Sequence, residues 1–175
     1  MSKKVAFVVA HDKFQPIEYE TPKHILENAG ITVITVSNEP GIATATDGSK
    51  ASVDMTLQEL DPAVVDGVFF VGGPGSIDHL DGDLSHHILQ RAEQIRKPYG
   101  GICLAVRILA AAGVLTEKNA TGWNEDDVLP AIFESYDVTY RPDEDVVVDG
   151  IAVTAVGPDD AEEYGEAILD LLETA

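Results

Sequence analysis

KPYGGICLAVRILAAAGVL, from Lys97 to Leu115, passes from a short apolar stretch through two glycines and the chain's single cysteine into an alanine-rich pattern. Tyr99 to Ile102 reads as a strand and Leu104 to Ala112 as a helix closed by Gly113. Cys103 therefore falls where a strand hands over to a helix. A tight turn of that kind lifts one side chain above the carboxyl ends of the strands of an α/β sheet, the arrangement of a nucleophile elbow. Helix N-terminal amides aimed at the sulfur lower a thiol pKa and favour the thiolate. The structural alternative for the same residue is a small buried hydrophobe packed behind the sheet.

Working outward, Val5 to Ala10 (VAFVVA) is a continuous apolar run of the kind buried on both faces of a parallel sheet. Thr21 to Ala29 follows as a helix, with Pro22 near its first turn and Gly30 as its stop. Ile31 to Ser37 is a second strand. Ala43 to Thr46 and Ala51 to Met55 form a hairpin through Asp47-Gly48-Ser49, because Asp-Gly is a preferred tight-turn pair, and Leu57 to Leu60 makes a helical turn. Val65 to Val71 is a strand running into Gly72-Gly73-Pro74-Gly75, and Leu84 to Arg96 has helical periodicity. Beyond the elbow, Asp127 to Glu134 reads as helix. Val138 to Arg141, Val146 to Val148 and Ile151 to Val156 read as strands, and Asp159 to Glu173 as the closing helix. Strands alternating with helices predict a three-layer α/β/α sandwich with a mostly parallel central sheet. With no repeat, linker or boundary visible, residues 1–175 are expected to form a single domain.

Composition narrows the function classes. The 31 Asp and Glu against 11 Lys and Arg give a formal charge of −20 over 175 residues. Nucleic acid is disfavoured as a partner, because phosphate contacts need clustered basic residues. The acids are spread over expected loops and outer helix faces, and 45% apolar residues are ample for a core, which argues against disorder. Such a surface suits molar salt, where screening reaches down to roughly 3 Å and self-repulsion is damped, so a halophilic source is expected. A lone cysteine excludes an intrachain disulfide. The first apolar run is too short for a secretory or membrane segment, and a cytoplasmic location is expected.

A second glycine cluster, VGGPGS at Val71 to Ser76, ends another strand on the same sheet edge. Small residues there let backbone N–H groups approach a bound oxygen, and the amides of Gly73 and Leu104 are candidates for an oxyanion hole. A Gly-Gly-Pro-Gly turn is also often only a turn, and this one lacks the Lys-Ser/Thr ending of a phosphate-binding loop.

Taken with FQPIEYETPKHILENAGITVITVS, VVVDGIAVTAVGP and the final helix, these segments resemble the ThiJ/PfpI superfamily along nearly the whole chain. That superfamily includes redox-sensor proteins, intracellular PfpI-type peptidases and enzymes described as glyoxalases or deglycases. The resemblance implies a flavodoxin-like fold related to class I glutamine amidotransferases, a homodimer or higher oligomer, and a Cys103 sulfur close to a site glutamate. The shared register of Phe14, Glu18, Pro22, His24, Leu26 and Gly30 selects Glu18 for that role. A carboxyl beside a thiolate should be protonated and donate to sulfur, since two anions in one pocket push one pKa upward.

Departures from the family pattern matter as much. PfpI-type peptidases carry a histidine directly after the cysteine, where this chain has Leu104; the local base of a cysteine peptidase is missing. Gly122 and Trp123 occupy the region of another site histidine or tyrosine. His11, at the end of the first strand, is the best substitute base, with Gly72 and Trp123 as further pocket residues. His24 suits a packing or interface role. The adjacent His86 and His87 do not share a helix face, and no helical His-x-x-x-His pair is present, so neither a metal nor another cofactor is expected. Arg107 suits an ion pair with a nearby acid more than a substrate carboxylate. The expected partner is a small reactive carbonyl attacked by the Cys103 thiolate with help from Glu18. A redox sensor or chaperone-like stress protein with an oxidisable Cys103 is the alternative, and hydrolysis of amides, as a peptidase or amidotransferase-like domain, is a third.

Overall fold

The computed structural model describes residues 2–175. The apolar run near the N-terminus forms β1 (Lys4–Val9), and Val5 to Val9 are all buried. A three-residue strand, β2 (Asp12–Phe14), leads into α1 (Pro16–Asn28). This helix begins five residues earlier than the sequence suggests. Gln15 caps it by accepting from the Ile17 and Glu18 amides, and Pro16 sits at the first position, where its missing N–H is harmless. Pro22 is thus inside the helix rather than in its first turn.

The next strands are β3 (Thr32–Ser37), β4 (Ile42–Ala45), β5 (Lys50–Ser52), β6 (Met55–Thr56) and β7 (Gly67–Phe70). Antiparallel pairing of β4 with β5 confirms the Asp47-Gly48 hairpin, and β2 adds to it in parallel to make a small separate sheet. The Gly-rich segment is more than a turn: it opens α2 (Pro74–Leu80), after which come α3 (Asp83–Gln94) and β8 (Tyr99–Ile102). Past β8 the chain makes a 3-10 turn at Cys103–Ala105 before α4 (Val106–Ala111). The remaining elements are β9 (Asn119–Ala120), α5 (Leu129–Ser135), β10 (Thr139–Tyr140), β11 (Val146–Asp149), β12 (Ala152–Ala155) and α6 (Ala161–Thr174).

The main sheet has the order β11-β12-β8-β7-β1-β3-β6 and is parallel except for the β11–β12 hairpin. Side chains alternate across it, so two apolar layers result. On one face Leu26 of α1 and Ile168 and Leu172 of α6 cover Phe7, Phe69 and Val153. On the other, Leu89 of α3, Leu109 of α4 and Phe133 of α5 cover Val8, Val68 and Phe70. This is the expected three-layer α/β/α sandwich. Its β7 and β8 lie side by side, with Phe70 opposite Gly101, which brings the Gly72-Gly73 turn next to the Cys103 turn.

Leu109 lies on the only regular helix that follows the elbow turn directly and is fully buried. Leu109→Ala is expected to cost about 2–5 kcal/mol of folding free energy, measured by denaturant titration in molar salt. A loss well under 1 kcal/mol would show that α4 does not hold the turn in place.

Candidate active site

Cys103 is the one strained residue of the elbow. Ile102 ends β8 in an extended conformation (φ −128°, ψ 145°), and Cys103 then takes φ 60°, in the left-handed region. That conformation costs a non-glycine residue about 1–3 kcal/mol and persists only where the surroundings enforce it. Here the turn swings the side chain back over the sheet edge, leaving it 7% exposed. The Leu104 and Gly73 backbone amides both favour the ionised form of the sulfur, so the two amides singled out in the sequence lie near it.

Glu18 reaches the same point from α1. Its backbone N–H is held at 3.1 Å by the Gln15 side chain, and the Gln15 N–H donates to the Gly72 carbonyl at 3.0 Å. In return the Gly72 N–H donates to Glu18 Oε2 at 2.9 Å, and the carboxyl lies beside Cys103 across Gly72. The start of α1 is thereby tied to the end of β7 in both directions. A β-carbon at Gly72 would lie 2.5 Å from Glu18 Oε2 and 2.7 Å from Cys103 Cβ, so only glycine allows this approach. Gln15 was not singled out in the sequence, although a polar residue directly before proline is a helix-start signal that marks it.

Burial dominates the electrostatics. Glu18 is fully buried, and desolvation raises its pKa from 4.5 to about 7 against the opposing hydrogen bonds from Cys103 and Gly72. Burial also pushes the Cys103 thiol well up, helped by the negative charge of Glu18, while the Leu104 and Gly73 amides pull it down. This corrects the expectation of a lowered thiol pKa. The sulfur sits out of water, and the helix behind it is a 3-10 turn followed by only six α-helical residues. The two groups titrate as a pair that keeps one proton between them above about pH 7.

Other expected residues are arranged differently. His11 is not a partner of Cys103: its Nε2 lies 3.1 Å from the Pro40 carbonyl and its backbone N–H is bound by Asn38. His24, His79 and His87 are exposed, and His86 pairs with Asp81 at 2.8 Å. Trp123 is half-buried against the core layer that holds Cys103 and Leu104. Arg107 stacks over the Trp123 ring at 5.5 Å and pairs with Asp126 at 2.7 Å, the ion pair expected of it.

The DJ-1/PfpI family pattern matches residues 3–171, and the chain belongs to this family. It is 30% identical over 180 residues to the putative cysteine protease YraA of Bacillus subtilis, covering 99% of this chain and 100% of that protein. It is 29% identical over 171 residues to the uncharacterized protein MJ0967 of Methanocaldococcus jannaschii, covering 97% of this chain and 82% of the relative. The crystal structure of a ThiJ/PfpI domain protein from Brachyspira murdochii superposes with a TM-score of 0.93 at 29% identity, over 99% of this chain and 98% of that one. Drosophila melanogaster DJ-1beta shares the fold at a TM-score of 0.84 and 24% identity, over 99% and 97% of the two chains. No helix among the described residues is long and apolar enough to cross a membrane.

The raised Glu18 pKa makes folding stability depend on pH. The folded chain holds the proton more tightly than the unfolded chain, so this contribution is complete below pH 4.5 and is lost as pH rises to about 7. Over that interval the loss amounts to roughly 3 kcal/mol. Glu18→Gln is expected to flatten the decline in denaturation series spanning the interval; an unchanged slope in the variant would place the buried proton elsewhere.

Proposed function

We propose that this chain is a cysteine-dependent enzyme acting on small reactive carbonyls, in the manner of a glyoxalase or deglycase, with Cys103 as nucleophile and Glu18 as its proton partner. The observation that carries the reading is the packing of the buried Glu18 carboxyl against Gly72 and Cys103, while His11 is turned away to the Pro40 carbonyl. An aldehyde is electrophilic enough to be attacked with no stronger base. The Sγ–C bond forms, the carbonyl π electrons move to the oxygen, and the thiol proton passes through Glu18 to that oxygen, giving a hemithioacetal. The Gly73 and Leu104 amides, near the sulfur, stabilise the developing oxyanion beside it. Burial that raises both pKa values keeps a proton in the pair for this transfer.

The relative named a putative cysteine protease raises peptide hydrolysis as a reading, but expelling an amine needs a base that returns the proton, and in this chain Leu104 follows Cys103. A second reading has its own support. Oxidation of Cys103 by a peroxide would place sulfinate oxygens within reach of the same two amides and of Glu18, which suits a redox sensor.

A homodimer, a halophilic source and a cytoplasmic location complete the proposal. Exposed Ile17 at the start of α1 and Ile42 on β4 support self-association, and the charge of −20 supports adaptation to salt.

Methylglyoxal consumption in molar salt tests the first reading. Cys103→Ser is expected to abolish turnover and Glu18→Gln to lower it by about a hundredfold, with His11→Ala unchanged. Stoichiometric oxidation of Cys103 without turnover would give the function to the sensor reading instead.

A further inference from the structure

Glu18 has a second buried neighbour that this chemistry leaves unused. Where α6 crosses α1 the helices are close: a β-carbon at Gly165 would lie 2.9 Å from the Pro22 Cα and 2.8 Å from Ile25 Cδ1. Tyr164, the residue before that glycine, is 2% exposed and lies in the core layer that also contains Ile102, Cys103 and Val153. Its ring reaches as far as β8, because a β-carbon at Gly100 would sit 3.0 Å from the hydroxyl. That hydroxyl has no hydrogen-bond partner, and Glu18 Oε1, also buried, has none either; the two do not bond each other.

The two atoms are complementary, since a phenol donates and a carboxylate accepts. After burial itself, the charge of Glu18 is what holds the phenol well above its ordinary pKa. The hydroxyl therefore stays a neutral donor over the whole range in which Glu18 titrates. Phenylalanine would fill the same volume without burying an unpaired oxygen, so the polar atom calls for an electrostatic account. We propose that Tyr164 is a positioning residue for Glu18: its buried hydroxyl, presented from α6, stabilises the ionised carboxylate, so that Glu18 is unprotonated and free to take up the Cys103 proton down to a lower pH. The proposal rests on Glu18 being the proton partner of Cys103.

The groups around the carboxyl are few. Its charge acts on Cys103, in the turn after β8, and on Tyr164 of α6, while the Gly72–Pro74 turn supplies no titratable side chain. On α6 itself Glu162, Glu163 and Glu166 are exposed, and on α1 Glu20 and Glu27 act on Lys23.

The test is carbon-13 NMR of glutamate-labelled protein, with the Glu18 carboxyl signal assigned through Glu18→Gln. Tyr164→Phe is expected to raise the Glu18 midpoint by about half to one pH unit and to move the pH profile of Cys103 alkylation in the same direction, with no loss of thermal stability. Difluorotyrosine at position 164, a stronger donor that keeps the ring, is expected to move the midpoint down and serves should the phenylalanine variant fail to fold. A midpoint unmoved by either change overturns the role of Tyr164 while leaving the Cys103–Glu18 pair intact. A wild-type Glu18 that titrates at its ordinary value would overturn the pair and this proposal together.

Discussion

A carboxyl group with no access to water sits between the Gly72 amide and the Cys103 sulfur, and much of the molecule is arranged to keep it there. Removing an ionised carboxylate from water costs several kcal/mol unless it is protonated or well bonded. Glu18 meets that cost partly through one amide and one thiol and partly by holding its proton up to about pH 7. Three separate elements must be in register for this: the start of α1, the end of β7 and the turn after β8. The reciprocal bonds between Gln15, Gly72 and Glu18 set that register.

The sheet order makes the arrangement possible. Because β7 pairs with β8 and β1 lies on the other side of β7, three carboxyl-end connections open onto one edge. They carry the α1 approach, the glycine turn and the cysteine turn. A parallel sheet buried on both faces is rigid enough to hold Cys103 at a positive φ, a conformation that a loop would relax. Strain and burial at Cys103 are thus consequences of the same packing.

The acidic surface acts on a different scale. Ion pairs such as Lys23–Glu27 and Arg141–Glu144 are partly solvated and contribute little each. With far more acids than bases, most carboxylates have no cationic partner, so pairing leaves their repulsion to be screened by whatever salt surrounds the chain. The buried carboxyl of the site is insulated from that screening, which is why its electrostatics are local.

By itself the sequence determined the layers, the strand-to-helix position of Cys103 and the Asp47-Gly48 hairpin, because apolar runs, glycine stops and turn pairs are local signals. Register with a known family picked out Glu18 among 31 acids; no local pattern distinguishes it from a solvated glutamate. Tertiary structure alone decided that His11 turns to Pro40, that α1 starts at Pro16 with Pro22 in its interior, and that Tyr164 ends beneath Gly100. It also decided that burial raises the Cys103 pKa. Desolvation depends on everything packed around a group from distant parts of the chain, and no short stretch of sequence records it.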